Sequence, residues 1–316
     1  MTKLFVDANA SCKVGNLMDT CPDGKNSGLV KELGSSNKYI RGEQDIIYSS
    51  VNKSPLFDYD EESGTLFIPH VHTSLHSKEI VGEQEYQACK AMYDFIDDLD
   101  VFEDFKKILC NRISEMPYQL KNIFKHYAPR LVCLNATHEE SLFNSLGNYF
   151  IFNQYEDYYN NLGCGNTFIH EVAHMISKLM KDDGIISAMS IKTLTWCAKN
   201  DFNNYLLEVM KSKHIDEKHA KEIIQKEIRD HGCNADIVSD IYGGITNNEV
   251  VGAFLHDTEY WTKSNDETLI GEEFFAEVIA SFVCHRTESI SLAKKYLHTT
   301  MLQFIKIMEG IHFHEQ

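Results

Sequence analysis

The sequence predicts an α+β fold, mostly helical with a small mixed sheet and with its candidate reactive residues on a helix. Three observations carry this. Apolar residues recur at helical spacing through most of the chain after residue 83. Two short apolar runs, residues 130–134 (RLVCL) and 149–153 (YFIFN), read as buried strands. Residues 1–80 are rich in Gly, Ser and Asn, and carry only short strand-like pieces.

Taken in order, residues 45–49 and 65–71 are the strand-like pieces of the N-terminal region. His70 and His72 fall on one face of the second, with His76 beyond it. Alternating histidines can bind metal, but the pattern reads better as a plain exposed face. Helical spacing begins near residue 83 and continues through two segments, 83–99 and 101–113. After the two short strands, a turn-rich stretch at 156–165 leads into a helix over 167–181. Residues 185–231 read as two helices, the second with Asp216 as its N-cap and Gly232 as its stop. Residues 233–266 are rich in Gly, Asn and Asp and read as loop and hairpin. Helices over 269–285 and 289–310 complete the chain. The expected organisation is an N-terminal accessory region, 1–84, followed by one catalytic domain, 85–316.

The 316 residues are 43% hydrophobic and 24% charged, enough apolar material for a sizeable core. A net charge of -17 argues against nucleic acid or an anionic membrane as partner, since both would be repelled. The nine cysteines are scattered and form no CxxC, which points away from a disulfide framework and towards a reducing compartment. The first residues contain no hydrophobic signal core, and no apolar run is long enough to span a membrane. The expected location is cytoplasmic, or outside the cell by a leaderless route.

The chemical signal is HEVAH, residues 170–174. Positions i and i+4 share a helix face, so His170 and His174 can reach one ion. Glu171 stands beside the first histidine, placed to take a proton from a metal-bound water. Zinc suits imidazole ligands and keeps a position open for water when the protein supplies only three groups. The third group must come from elsewhere, because Ser177 and Met180 occupy the positions where an extended HExxHxxGxxH motif needs Gly and His. GEEFFAEVIASF, residues 271–282, offers Glu272, Glu273 and Glu277 in an apolar helix. Carboxylates in such surroundings are costly unless paired or metal-bound. Glu273 and Glu277 share a face, which suits Glu273 as ligand and Glu277 as acceptor for a ligand histidine's other nitrogen. Glu272 fits the bland alternative, an acid at a helix N-terminus.

HEVAH followed about a hundred residues later by EFFAE resembles the gluzincins of the anthrax lethal factor type, which include Pro-Pro endopeptidases. The resemblance covers two short motifs and their order. It implies a zincin-like metallopeptidase domain, a zinc cofactor, a peptide or protein substrate, Glu273 as third ligand and Glu277 as support for a zinc histidine. Between the motifs, Asp240-Ile241, Gly244-Ile245-Thr246-Asn247, Gly252, His256 and Tyr260-Trp261 resemble a segment of HExxH peptidases linked to phage or mobile elements. The lethal factor type stabilises its oxyanion with a tyrosine shortly before the third ligand. Here Tyr260 precedes Glu273 by 13 residues, a departure from that spacing, and His256 is the other candidate donor. Asp240, in DIYG, is a rival third ligand on the pattern of aspzincins. Residues 149–153 would pair with an extended substrate. Two other readings are a non-catalytic or virion-associated interaction protein that keeps the fold, and a secreted toxin or effector peptidase.

Overall fold

Most of the first turn of the HEVAH helix is buried, so its free N–H groups need an acceptor. Asp157 supplies it, its two carboxylate oxygens accepting from the backbone of Thr167 and Phe168, each at 2.9 Å. The computed structural model describes residues 75–135, 141–158, 162, 165–263 and 267–313, with three short strands, β1 (Lys3–Phe5), β2 (Asp58–Asp60) and β3 (Thr65–Phe67). The expected strand at 45–49, the end of the one at 65–71, and His70 and His72 lie outside the described residues. His76 is described, and its Nδ1 lies 3.0 Å from Asp97 on the surface.

The first helices are α1 (Ser77–Val81), α2 (Glu83–Ala88), α3 (Lys90–Asp97), α4 (Glu103–Glu115) and α5 (Tyr118–Tyr127). The expected helix at 83–99 is broken at Cys89, whose φ is -134°. A sheet follows, made of β4 (Cys133–Asn135), β5 (Leu142–Asn144) and β6 (Tyr149–Phe152). Its order is β4-β6-β5, with β4 parallel and β5 antiparallel to β6. The segment expected to be a buried strand at 130–134 is an edge instead: Val132 and Leu134 are both 48% exposed. The β5–β6 hairpin is shaped by two asparagines. Asn144 Oδ1 accepts from the backbone of Leu146 and Gly147, at 3.1 and 2.9 Å, and Asn148 takes a left-handed φ of 53°.

After the short α6 (Gln154–Tyr158) come the helices that form the core: α7 (Asn166–Asp182), α8 (Ala188–Lys213), α9 (Glu217–Asp230) and α10 (Asp236–Thr246). As expected, Asp216 caps α9, accepting from His219 N at 3.0 Å. Residues 236–246 were expected to be loop and are helix. The glycines misled because here they serve packing: a Cβ on Gly243 would lie 2.8 Å from Asn248 Oδ1, and one on Gly244 would lie 2.9 Å from the Trp261 ring. Strand β7 (Phe254–His256) pairs antiparallel with β1, and α11 (Thr258–Lys263) follows.

The last helices are α12 (Leu269–Val283), α13 (Thr287–Tyr296) and α14 (His298–Glu309). The single helix expected at 289–310 is two, broken at Leu297. The break lets Asp201 of α8 cap the new start, accepting from Thr300 N at 2.9 Å and its hydroxyl at 2.8 Å. Helices α7 and α12 lie against each other at the centre and are apolar nearly all round. Phe168, Val172 and Ile176 on one, and Phe274, Phe275 and Val278 on the other, are fully buried. Each such side chain contributes roughly 1.5–3 kcal/mol over its exposed state. Among the described cysteines Cys89, Cys110, Cys133, Cys197 and Cys284 are free, whereas Cys233 is disulfide-bonded. The scattered cysteines form no disulfide framework among the described residues, but a disulfide does form at Cys233. No helix of the described residues is long and apolar enough to cross a membrane.

Burial pushes the Asp157 carboxyl up from 3.8 to about 7. A carboxyl that binds its proton more tightly folded than unfolded stabilises at low pH, and that contribution fades as pH rises through the folded value. Thermal melts should therefore show this contribution falling from about pH 4 to about pH 7 and levelling above it. Asp157→Asn should flatten this slope and lower stability by about 1–2 kcal/mol, since one N–H loses its acceptor.

Candidate metal centre and active site

Helix α7 places His170 and His174 one turn apart, with their Nε2 atoms 2.9 Å from each other. From α12, Glu273 Oε2 lies 3.4 Å from each of those nitrogens. The two edges to Glu273 match the roughly 3.3–3.4 Å of a tetrahedral zinc site with ligand distances of about 2.0–2.1 Å, while the His170–His174 edge is shorter. Glu273 Oε2 is buried and has no hydrogen-bond partner, although it could accept two. A buried lone pair aimed at two imidazole nitrogens fits a cation. Among the described residues, two groups could hold a metal ion: His170, His174 and Glu273; and Asp240, His256 and Glu273.

The surrounding groups discriminate between them. Glu277 Oε1 lies 3.4 Å from His170 Nδ1, the place of an acceptor that keeps the proton on Nδ1 and the Nε2 lone pair free. In the second group, His256 Nδ1 is already 2.7 Å from Asp240 Oδ1. That is a hydrogen-bonded pair, and it turns the other nitrogen of His256 towards Glu273 Oε2, 3.9 Å away. Asp240, the rival third ligand, thus joins His256 and not the two α7 histidines.

Charge in the site is balanced tightly. Burial works against the Glu273 carboxylate, but His174 and His256 more than offset it and hold its pKa well below the usual range. Burial likewise opposes a charged His174, and Glu273 with Glu171 overcomes it, raising that imidazole to about 9. A cation bound here displaces that proton. Tyr260 donates its hydroxyl to Glu273 Oε1. Burial and the neighbouring carboxylate keep this phenol protonated, well above its ordinary value.

Glu171 is buried at the wall of a cleft shared with His170, His174, His256, Tyr260 and Glu273. The opposite wall is β5, through Ser141, Leu142 and Phe143. The Phe143 ring is parallel to that of His174, with centroids 6.2 Å apart. The strand expected to meet a substrate, β6, is corrected here: it is hydrogen-bonded on both sides, to β4 and to β5. Among the described residues β5 is the sheet's edge on the cleft.

The sequence-named residues His170, Glu171, His174, His256, Tyr260, Glu273 and Glu277 are thus all brought together. Sequence reasoning missed three supports. Asp157 caps α7 from ten residues away, too far for a capping signature. Asp240 was weighed as a ligand and is the partner of His256. Glu272 clamps the two ligand helices, accepting from Ser177 at 2.8 Å and pairing with Lys181, both on α7. Ser177 and Lys181 lie seven and eleven residues after His170, a spacing that hints at one stripe facing α12. No family model, curated protein or solved structure matches the chain.

The position of Glu273 depends on Gly271, two residues earlier. A Cβ there would lie 2.3 Å from the backbone oxygen of Ile191, while the Gly271 N–H is taken by Thr195 Oγ1 at 3.0 Å. Gly271→Ala should push α12 off α8, costing roughly 1–3 kcal/mol in denaturant unfolding. It should also weaken metal binding in a chelator competition, because Glu273 moves with the helix.

Proposed function

We propose that this chain is a zinc-dependent metallopeptidase of the zincin type that cleaves peptide bonds with a metal-activated water. The observation that carries the reading is the convergence of His170 Nε2, His174 Nε2 and Glu273 Oε2 within 3.4 Å of one another, beside the carboxylate of Glu171. The resemblance to lethal factor-type gluzincins rests on the same residues, HEVAH and EFFAE. A zinc ion held there would supply a bound water of lowered pKa and a Lewis acid for the scissile carbonyl.

The chain's own groups then have distinct tasks. Glu171 takes the proton of the attacking water and returns it to the leaving amine. Glu277 holds the ring of His170. An extended peptide adds to β5, the sheet's edge among the described residues, where main-chain hydrogen bonds fix it and Phe143 and Leu142 meet its side chains. The partly apolar cleft, with no Lys or Arg among its described lining residues, favours a polypeptide over a nucleic acid.

Glu171→Gln separates catalysis from metal binding. The variant should keep zinc, measured by metal analysis after dialysis, and lose cleavage of unfolded casein by at least about 100-fold. Cleavage at the wild-type rate would sink the peptidase reading. A zinc-loaded wild type that cleaves nothing would favour a binding protein built on the same site. Zinc should also raise the melting temperature of the apo chain, the gain growing with the logarithm of its affinity, and a chelator should reverse it. His170→Ala and Glu273→Ala should each abolish the zinc-induced shift.

A further inference from the structure

Helices α7 and α12 meet along two polar stripes, and their contacts fix the direction in which they cross. Going forward along α12, Glu272 meets Ser177 and Lys181, Glu273 meets His174 and His170, and Glu277 meets His170. The partners on α7 run backwards, so the two helices are antiparallel. One further turn brings Ser281 on α12 and Asn166 on α7 to the same level. The two ends do lie together there. Cys284, just after α12, is within reach of the charges of Asp157 and Glu277, and Asp157 accepts from the backbone of Thr167 and Phe168.

Asn166 and Ser281 are both fully buried. Neither the oxygen nor the nitrogen of the Asn166 carboxamide is hydrogen-bonded to a protein group, and the Ser281 hydroxyl is not either. A carboxamide donates twice and accepts twice, and a hydroxyl adds a donor and two lone pairs. Groups of this kind are costly to bury unmatched. An Asn at a helix start ordinarily has the local backbone to turn to. Here the next two N–H groups already go to Asp157, and the residue before it is Gly165. We propose that the α7–α12 interface holds an ordered internal water between the Asn166 carboxamide and the Ser281 hydroxyl, one turn behind the contact of Glu277 with His170, and that Asn166 and Ser281 are positioning residues for the two ligand helices. The positioning role rests on the zinc reading, and the water does not.

The chemistry of the two side chains selects the occupant. Together they offer donors and acceptors but no charge, which suits a small neutral molecule that is itself both. A cation would meet the carboxamide N–H groups, and an anion would lie close to the carboxylates of Glu277 and Asp157. Internal waters are commonly bound by two to four buried polar groups that lack protein partners. The place of this water gives it a task. Glu272, with Ser177 and Lys181, ties α7 to α12 on one side of the ligand group. The water ties the same two helices on the other side, so that His170, His174 and Glu273 lie between two fastenings. Loosening either one lets the helices scissor and carries Glu273 away from the histidines.

A high-resolution crystal structure of the wild type tests the water directly and needs no variant to fold. Density within hydrogen-bonding distance of both the Asn166 carboxamide and the Ser281 hydroxyl is expected, with or without zinc. An Asn166 carboxamide satisfied by protein groups, with no water beside it, overturns the proposal. Ser281→Ala, Asn166→Leu and the double variant extend the test to solution. Each single change strands the other partner and should raise the unfolding equilibrium constant in urea about 5- to 30-fold. The double variant removes both partners and the water together, so its effect should fall well short of the product of the two. Independent, multiplicative effects overturn the shared water. Zinc affinity, read by competition with a colorimetric chelator, should fall about 3- to 10-fold in each single variant. Casein cleavage at saturating zinc should keep a kcat near that of the wild type. Wild-type zinc affinity in both single variants overturns the positioning role. If the wild type binds no zinc, the zinc reading falls and the positioning role with it, while the density and the double-variant comparison still decide the water.

Discussion

A carboxylate cannot sit in an apolar helix interface without something to neutralise it, and Glu273 sits in the middle of one. It is 1% exposed, flanked by Phe274 and Phe275 and packed against α7. Isolated, such a charge would cost several kcal/mol. Two imidazoles, a phenol and a third histidine answer it, and each has its own scaffold. Helix α7 is anchored by Asp157 and clamped by Glu272, and α12 is seated on α8 through Gly271. Helix α10 brings Asp240, and α11 brings Tyr260. The arrangement of the core follows from bringing these groups to one oxygen pair.

That constraint explains which parts were legible in the sequence. HEVAH is local: two histidines one turn apart share a face whatever the rest of the chain does. Glu273 and Glu277 were legible because charged residues among phenylalanines demand partners. The ends of α9 were legible because Asp216 caps it by a bond three residues long. In each case the physical cause and the sequence signal lie within a few positions.

Other features have causes that lie far off in the chain. Gly243 and Gly244 look like a loop until the neighbours that exclude a Cβ are known, and those neighbours are Asn248 and Trp261. The pairing of Asp240 with His256 spans 16 residues, and the capping of α14 by Asp201 spans 99. Neither has a periodic signature. Placing the substrate on β6 failed for a related reason. An apolar, alternating run marks a strand, but only the pairing order tells an edge from a centre. β6 is the most strand-like segment because it is enclosed on both sides, which is also why it has no edge to offer.

The β5–β6 hairpin carries a consequence of its own. Strand β5 is three residues long, and its register against β6 depends on a turn in which Asn144 gathers two backbone N–H groups and Asn148 adopts a left-handed conformation. Side chains alternate along a strand, so one residue gained or lost in that turn would exchange the two faces of β5. Phe143 would leave the flank of His174 and Leu142 would take its place. The histidine and carboxylate group would stand, while the shape of the cleft wall beside it would be inverted. The wall of the cleft facing His174 can therefore change by editing the hairpin turn, whose residues do not line the cleft.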